Sequence, residues 1–199
     1  MKQQVIVLAT GNPGKVREIQ SVLADTNILV KPQSEFNVEE AEETGLSFVE
    51  NAIIKARNAA LHTGLPSIAD DSGIEVDYLK GEPGIYSSRF AGINANSAEN
   101  NAKLLKLMEH VADKDRSARF QCVIVYMRHA KDPTPLICQG TWEGFISREQ
   151  YGDNGFGYDP LFYVPTEHCL AAELDSELKN KISHRGQALR QLLNLFSTH

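Results

Sequence analysis

Apolar residues enter the chain as a short unbroken run, Val5-Ile6-Val7-Leu8-Ala9, and then change to helical spacing at Val16, Ile19, Val22 and Leu23. A run of that length reads as a buried strand, and the change of period marks a strand–turn–helix unit. Residues 28–31 suggest a second short strand. Ser47-x-x-Glu50 is a capping box opening a helix to about residue 62, with Phe48, Ala52, Ala56, Ala59 and Ala60 as a slim apolar face. Residues 74–79 alternate as a strand, and Asp70-Asp71-Ser72-Gly73 interrupts what would otherwise be one longer apolar run. A helix from Ser97 turns Leu104, Leu105, Met108 and Val111 inward. Residues 118–128 form a long strand, broken at Asp132-Pro133-Thr134-Pro135, and 136–147 return as a strand pair or one bent strand with Trp142 and Phe145 packed inside. A strand at 161–164 and a last helix bearing Leu189, Leu192, Leu193 and Phe196, with Ser183 as its N-cap, complete the reading.

Composition narrows the class. A chain of 199 residues suffices for one substantial domain, or two lobes sharing a core, and 42% hydrophobic with 23% charged residues is ordinary for a globular protein. No repeat or linker stands out, so lobes would be interleaved rather than tethered. The net charge of -6 argues against a nucleic-acid polymer as partner, though not against a small anion met by a few placed lysines. Three cysteines without a C-x-x-C pair indicate neither a disulfide framework nor a structural zinc site. The first apolar run is too short for a signal-peptide core and no run reaches membrane-spanning length, so a cytoplasmic protein with no membrane partner is expected.

Four stretches carry chemistry. Thr10-Gly11-Asn12-Pro13-Gly14-Lys15 lies between a strand and a helix, a geometry that aims backbone N–H groups at an anion. It is not a Walker A loop, since two residues rather than four precede Gly-Lys and Val16 follows; a plain tight turn with a surface lysine is the alternative. In an extended chain Asp70 and Asp71 point to opposite faces, so one faces a cleft while the other is held by backbone or caps a turn; an Asx turn is the alternative. Glu42 and Glu43 end an acidic loop just ahead of a helix start, where a second metal-binding carboxylate could arise, and Lys55 lies on one side of that helix with Asn51. Glycines flank Phe156 in Gly155-Phe156-Gly157-Tyr158-Asp159-Pro160, which suits stacking on a flat ligand or, alternatively, a hairpin plugging the core. His184 and Arg185 follow Ser183 in a first helical turn, where cations oppose the macrodipole; donors aimed at a ligand explain them better, and Lys179 can join the same site.

Taken together, Thr10-Gly11-Asn12-x-x-Lys15, Ala69-Asp70-Asp71-Ser72-Gly73, Phe156-Gly157-Tyr158-Asp159-Pro160 and Ser183-His184-Arg185-Gly186 resemble, in order and spacing, the inosine/xanthosine triphosphate pyrophosphatases. The resemblance runs from about residue 5 to about residue 196. It implies one domain over 1–199, an elongated α/β fold whose mixed sheet and flanking helices form two lobes around a central cleft, and a homodimer. It implies Mg²⁺-dependent hydrolysis of deaminated purine nucleoside triphosphates (ITP, dITP, XTP) to the monophosphate and pyrophosphate. By motif, Thr10, Gly11, Asn12, Pro13, Gly14 and Lys15 match the triphosphate turn, Asp71 the proton acceptor and metal ligand, Glu43 the other metal ligand, and Ser72 a substrate contact. Lys55 would help neutralise the triphosphate. Phe156, Gly157, Tyr158, Asp159, Lys179, His184 and Arg185 match residues around the base and remaining phosphates, with His184 and Arg185 expected to donate to a 6-oxo group. A Nudix hydrolase is the enzymatic rival, but its G-x5-E-x7-R-E-x-x-E-E helix is absent. A non-catalytic nucleotide sensor is the other, and it would bind without turnover.

Overall fold

The computed structural model describes residues 4–24 and 26–197. Along the chain come β1 (Gln4–Leu8), α1 (Pro13–Leu23), β2 (Ile28–Pro32), α2 (Phe48–Thr63), β3 (Ser67–Val76), α3 (Ser97–Leu107), β4 (Ser117–Met127), β5 (Leu136–Ile146), β6 (Phe162–Val164), β7 (Cys169–Leu170), α4 (Ser176–Ile182) and α5 (His184–Ser197). The strands join in one mixed sheet, ordered β2-β1-β3-β4-β5-β6-β7. The chain folds into two compact units. The first comprises residues up to 71, 122–140 and 185 onward; the second comprises 72–121 and 141–184.

In the first unit β1 pairs in parallel with β2 on one side and with β3 on the other, Leu8 lying opposite both Pro32 and Ile68. Alternation along the strands gives each face its own core. Ile6, Leu8 and Ile68 pack with Ile19 and Leu23 of α1 and with Ala188, Leu189 and Leu192 of α5. Val7, Ala9 and Ala69 meet Ala52, Ala56 and Ala59 of α2. Alanines on this face bring the α2 backbone close to the sheet. Ser47 caps the helix through a hydrogen bond from the Glu50 N–H, and Gly64 closes it in the left-handed region at φ 68°. Because β1's neighbours are reached on opposite sides, the strand order reverses there, and the carboxyl ends of β1 and β3 form a topological switch point.

The second unit is built on Ile74, Val76, Leu104, Met108, Phe120, Trp142, Leu161 and Phe162. Buried Arg116 braces it, donating to the carbonyls of Ile146 at 2.7 Å, Met108 at 2.5 Å and Ser147 at 2.8 Å. Two sequence expectations need correcting. Asp70-Asp71-Ser72-Gly73 is not an Asx turn ahead of a strand starting at residue 74: β3 runs through it without a break from Ser67 to Val76. Residues 136–146 form one strand rather than a pair, and its strict alternation puts Trp142 inside and leaves Phe145 39% exposed. α3 begins at Ser97 as expected, and Asn96 caps it in a reciprocal box with Glu99. Among the described residues no helix is long and apolar enough to cross a membrane.

Candidate active site

The switch point collects the charged residues of the first unit. β1 ends at Leu8 and the chain turns away, so the middle of β3 runs on without β1 beside it. The pleat then sends Asp70 toward the α1/α5 face and Asp71 toward the α2 face. On the α2 face, one helical turn beyond Asn51, Lys55 Nζ meets Asp71 Oδ1 at 2.6 Å and Glu43 Oε1 at 2.9 Å. Glu43 is fixed there because the loop carrying it is tied to the helix start, where Gly45 N–H donates to Asn51 Oδ1 at 2.8 Å and Leu46 N–H to Glu50 Oε2 at 2.9 Å. Burial pushes the Asp71 carboxyl up to about 6 despite the pull of Lys55 and Lys15. For Lys55, burial opposes the charged form, but Asp71 and Glu43 outweigh it and the pKa rises. Asp71 is thus a carboxylate poised near neutrality, with a cation fixed beside it.

The turn at residues 10–15 departs from the expectation of open N–H groups. Asn12 is the N-cap of α1 and its Oδ1 accepts from Gly14 N–H at 2.8 Å and Lys15 N–H at 3.2 Å. Thr10 Oγ1 accepts from Asn12 N–H at 3.2 Å, and Pro13 has no N–H to offer. Gly11 N–H donates 2.8 Å to Glu40 Oε1. The acidic loop therefore does more than meet solvent: one of its carboxylates already occupies a backbone donor of the anion turn. The cap competes for the same N–H groups that the strand–turn–helix geometry would aim at an anion. Lys15, half-buried, reaches across to the Asp70 carboxylate.

Of the two acids, Asp70 is the one turned away from Lys55, and side chains hold it. It is fully buried, pairs with Lys15, and accepts from Arg185 Nε at 3.0 Å and Cys122 Sγ at 2.9 Å. Arg185, 3% exposed, also pairs with Glu18 of α1. So the guanidinium expected to meet a ligand is turned to two carboxylates of its own unit, which also removes the macrodipole objection to a cation in that turn. Nothing in the sequence near Glu18, Glu40 or Cys122 marks them; the contacts span 167, 29 and 52 positions.

In the second unit, Gly155 and Gly157 adopt φ of 75° and 65°, and the loop between them folds back on itself. Phe156 N–H donates to Asp159 Oδ2 at 2.7 Å, and the same oxygen takes Lys179 Nζ at 2.7 Å, with that ammonium 5.1 Å from the Phe156 ring centroid. Asn101 Nδ2 donates to the Gly157 carbonyl at 3.1 Å, and Tyr158 lies buried with its hydroxyl donating to the Ser87 carbonyl at 2.8 Å. Tyr158 therefore anchors the loop, while half-buried Phe156 carries a ring backed by a cation. Buried His184 stacks on Phe120 with centroids 4.8 Å apart and planes at 9°. Ser72, half-buried, is the first residue of this unit.

The arrangement defines an α/β protein with a carboxylate–lysine centre at a sheet switch point. The chain belongs to the Ham1 family, whose members' shared pattern it matches over residues 6–195. It is 63% identical over 188 residues to the dITP/XTP pyrophosphatase of Thioalkalivibrio sulfidiphilus, covering 94% of this chain and 96% of that one. It is 62% identical to the dITP/XTP pyrophosphatase of Vibrio cholerae, with 94% of each covered. The solved HAM1 protein of Coxiella burnetii superposes with a TM-score of 0.91 at 55% identity, covering 98% of this chain and all of that one.

Proposed function

We propose that this protein hydrolyses deaminated purine nucleoside triphosphates, ITP, dITP and XTP, to the monophosphate and pyrophosphate. The observation that carries the reading is the convergence of Asp71 and Glu43 on one ammonium at the switch point, in a chain 63% identical to a dITP/XTP pyrophosphatase. The turn at residues 10–15 and Lys15 take the phosphates, with the anion replacing the exposed Glu40 carboxylate at Gly11 N–H. Asp71 accepts a proton from the water that attacks the α-phosphorus in line with pyrophosphate, and its raised pKa suits that role near neutral pH. Lys55 fixes the Asp71 and Glu43 oxygens and sets charge beside the reacting phosphate.

Mg²⁺ fits this donor set. Two carboxylate oxygens already share one cation, and a small hard ion needs only one or two carboxylates when phosphates and water supply the rest. Charge points the same way: Lys15, Lys55 and Arg185 are outnumbered by Glu18, Glu43, Asp70 and Asp71, so the cluster cannot neutralise a triphosphate alone. Glu43 and Asp71 would hold the ion, which when bound polarises phosphoryl oxygens and offsets leaving-group charge. In the second unit, Phe156 stacks on the base, with Gly157 and Tyr158 shaping the loop around it and His184 stacked on Phe120, and Lys179 donates to the 6-oxo group. The protein acts as a cytoplasmic homodimer in this reading, which light scattering on the purified chain checks.

The direct test is product identification. Incubated with ITP and Mg²⁺, the protein should release pyrophosphate and the monophosphate in equal amounts, with ATP turned over far more slowly. Release of orthophosphate, or binding without turnover, would sink the reading. Lys15→Ala should raise the KM for ITP roughly 10- to 100-fold, the usual worth of a charged hydrogen bond to phosphate. An unchanged KM would make the turn purely structural.

A further inference from the structure

We propose that Asp70, the buried neighbour of the proton acceptor, is a positioning residue that aims the Lys15 ammonium at the substrate's phosphates. The inference rests on the reading of residues 10–15 as the phosphate turn. Asp70 has no exposed surface and cannot touch a nucleotide from where it stands. Its oxygens are divided: Oδ1 pairs with Lys15, while Oδ2 accepts from Arg185 Nε and Cys122 Sγ at 3.0 and 2.9 Å.

A carboxylate this deep would ordinarily be driven neutral. Burial does oppose its charge, but Arg185 and Lys15 outweigh that and hold it well below the usual carboxylate range. Burial, then Asp70 itself, raises the Cys122 thiol well above its ordinary value, so the sulfur stays a proton donor rather than a nucleophile. Arg185 spans two elements, joining Asp70 on β3 to Glu18 on α1. Glu18 stands three residues on from Lys15, on the same side of the same helix. One guanidinium thus registers the helix that carries the lysine against the strand that carries its anchor. A lysine stem has several rotatable bonds, and an ammonium pinned at one oxygen has fewer positions to lose when phosphate arrives.

Charge and position predict opposite signs for Asp70→Asn. The substitution removes a negative charge close to the anion, so Coulomb attraction alone would tighten binding. Loss of the anchor would weaken it. Isothermal titration of the full-length protein with inorganic tripolyphosphate and Mg²⁺, in a cycle of D70N, K15A and the double variant, separates them. D70N should weaken tripolyphosphate binding about 10-fold in the otherwise unchanged chain and leave it unchanged or slightly tighter when Lys15 is already Ala. Unchanged or tighter binding in the presence of Lys15 overturns the proposal. So does equal weakening in both backgrounds, the mark of a structural role. Should D70N fail to fold, Arg185→Lys keeps the charge but loses the fork spanning Asp70 and Glu18; it should weaken binding only with Lys15 present, and weakening independent of Lys15 overturns the proposal. If K15A itself leaves tripolyphosphate affinity intact, the phosphate-turn reading falls too; if K15A weakens binding without coupling to residue 70, only the positioning role falls.

Discussion

Asp71→Asn is expected to reduce ITP turnover by at least ~10²-fold at saturating substrate and Mg²⁺ while leaving the fold intact. The amide keeps the carboxyl's shape on the α2 face but can neither accept the water's proton nor balance a divalent ion. Lys55 would retain Glu43, 2.9 Å away, so its charge stays paired and the loop ahead of α2 stays anchored. The wild-type protein should carry a pH signature that this variant lacks. Burial raises the Asp71 pKa to about 6, and in the proposed role the ionised form accepts the proton. Below that value the carboxyl is protonated, so kcat/KM for ITP should fall as pH drops through about 6 and level off above it. Asp71→Asn should show its residual activity with no such step. Near-normal turnover of the variant, or an unchanged step, would place the proton acceptor elsewhere.

What could be read from the chain alone follows from the range of the interactions. Strand and helix periods, the Ser47–Glu50 cap and the unit from 5 to 23 are local, and each forms where the spacing puts it. The pleat argument separating Asp70 from Asp71 is local too, and the two do take opposite faces of β3. It could not say what meets each face. Arg185 and Cys122 reach Asp70 only because the chain returns to the first unit after leaving it, and no spacing rule connects positions 70, 122 and 185. The same limit explains Arg185 itself. A cation in a first helical turn looked misplaced because its compensating carboxylates are remote in sequence. Asn12 shows a different failure, a competition between two local rules: the residue that favours an anion-binding turn is also a good N-cap, and here the cap takes the N–H groups.

Lys179→Ala is expected to narrow the ITP-to-ATP ratio of kcat/KM by ~10²-fold, chiefly by slowing ITP. Hypoxanthine and xanthine carry an oxygen at position 6, where adenine carries an amino group. The Lys179 ammonium is held by Asp159 at 2.7 Å and lies over the Phe156 ring, 5.1 Å from its centroid, so a base whose 6-position reaches past the edge of that ring is offered a fixed donor. A 6-oxo group accepts from it; a 6-amino group sets donor against donor. Sites that read polar groups this way discriminate by ~10⁴-fold or more, of which one donor supplies a part. The pair is almost wholly buried, with 6% and 4% of the two side chains exposed, so water cannot relieve the mismatch cheaply. Removing the lysine leaves Asp159 with the Phe156 N–H at 2.7 Å, which still shapes the loop and keeps stacking available to either base. GTP shares the 6-oxo group, so its rejection needs a separate contact at the 2-amino position and should survive the substitution. Parallel kinetics with ITP, ATP and GTP decide the matter. If ITP and ATP fall together, Lys179 serves the phosphates or the fold and base selection lies elsewhere; a ratio that narrows while GTP stays poor assigns the 6-oxo reading to this lysine.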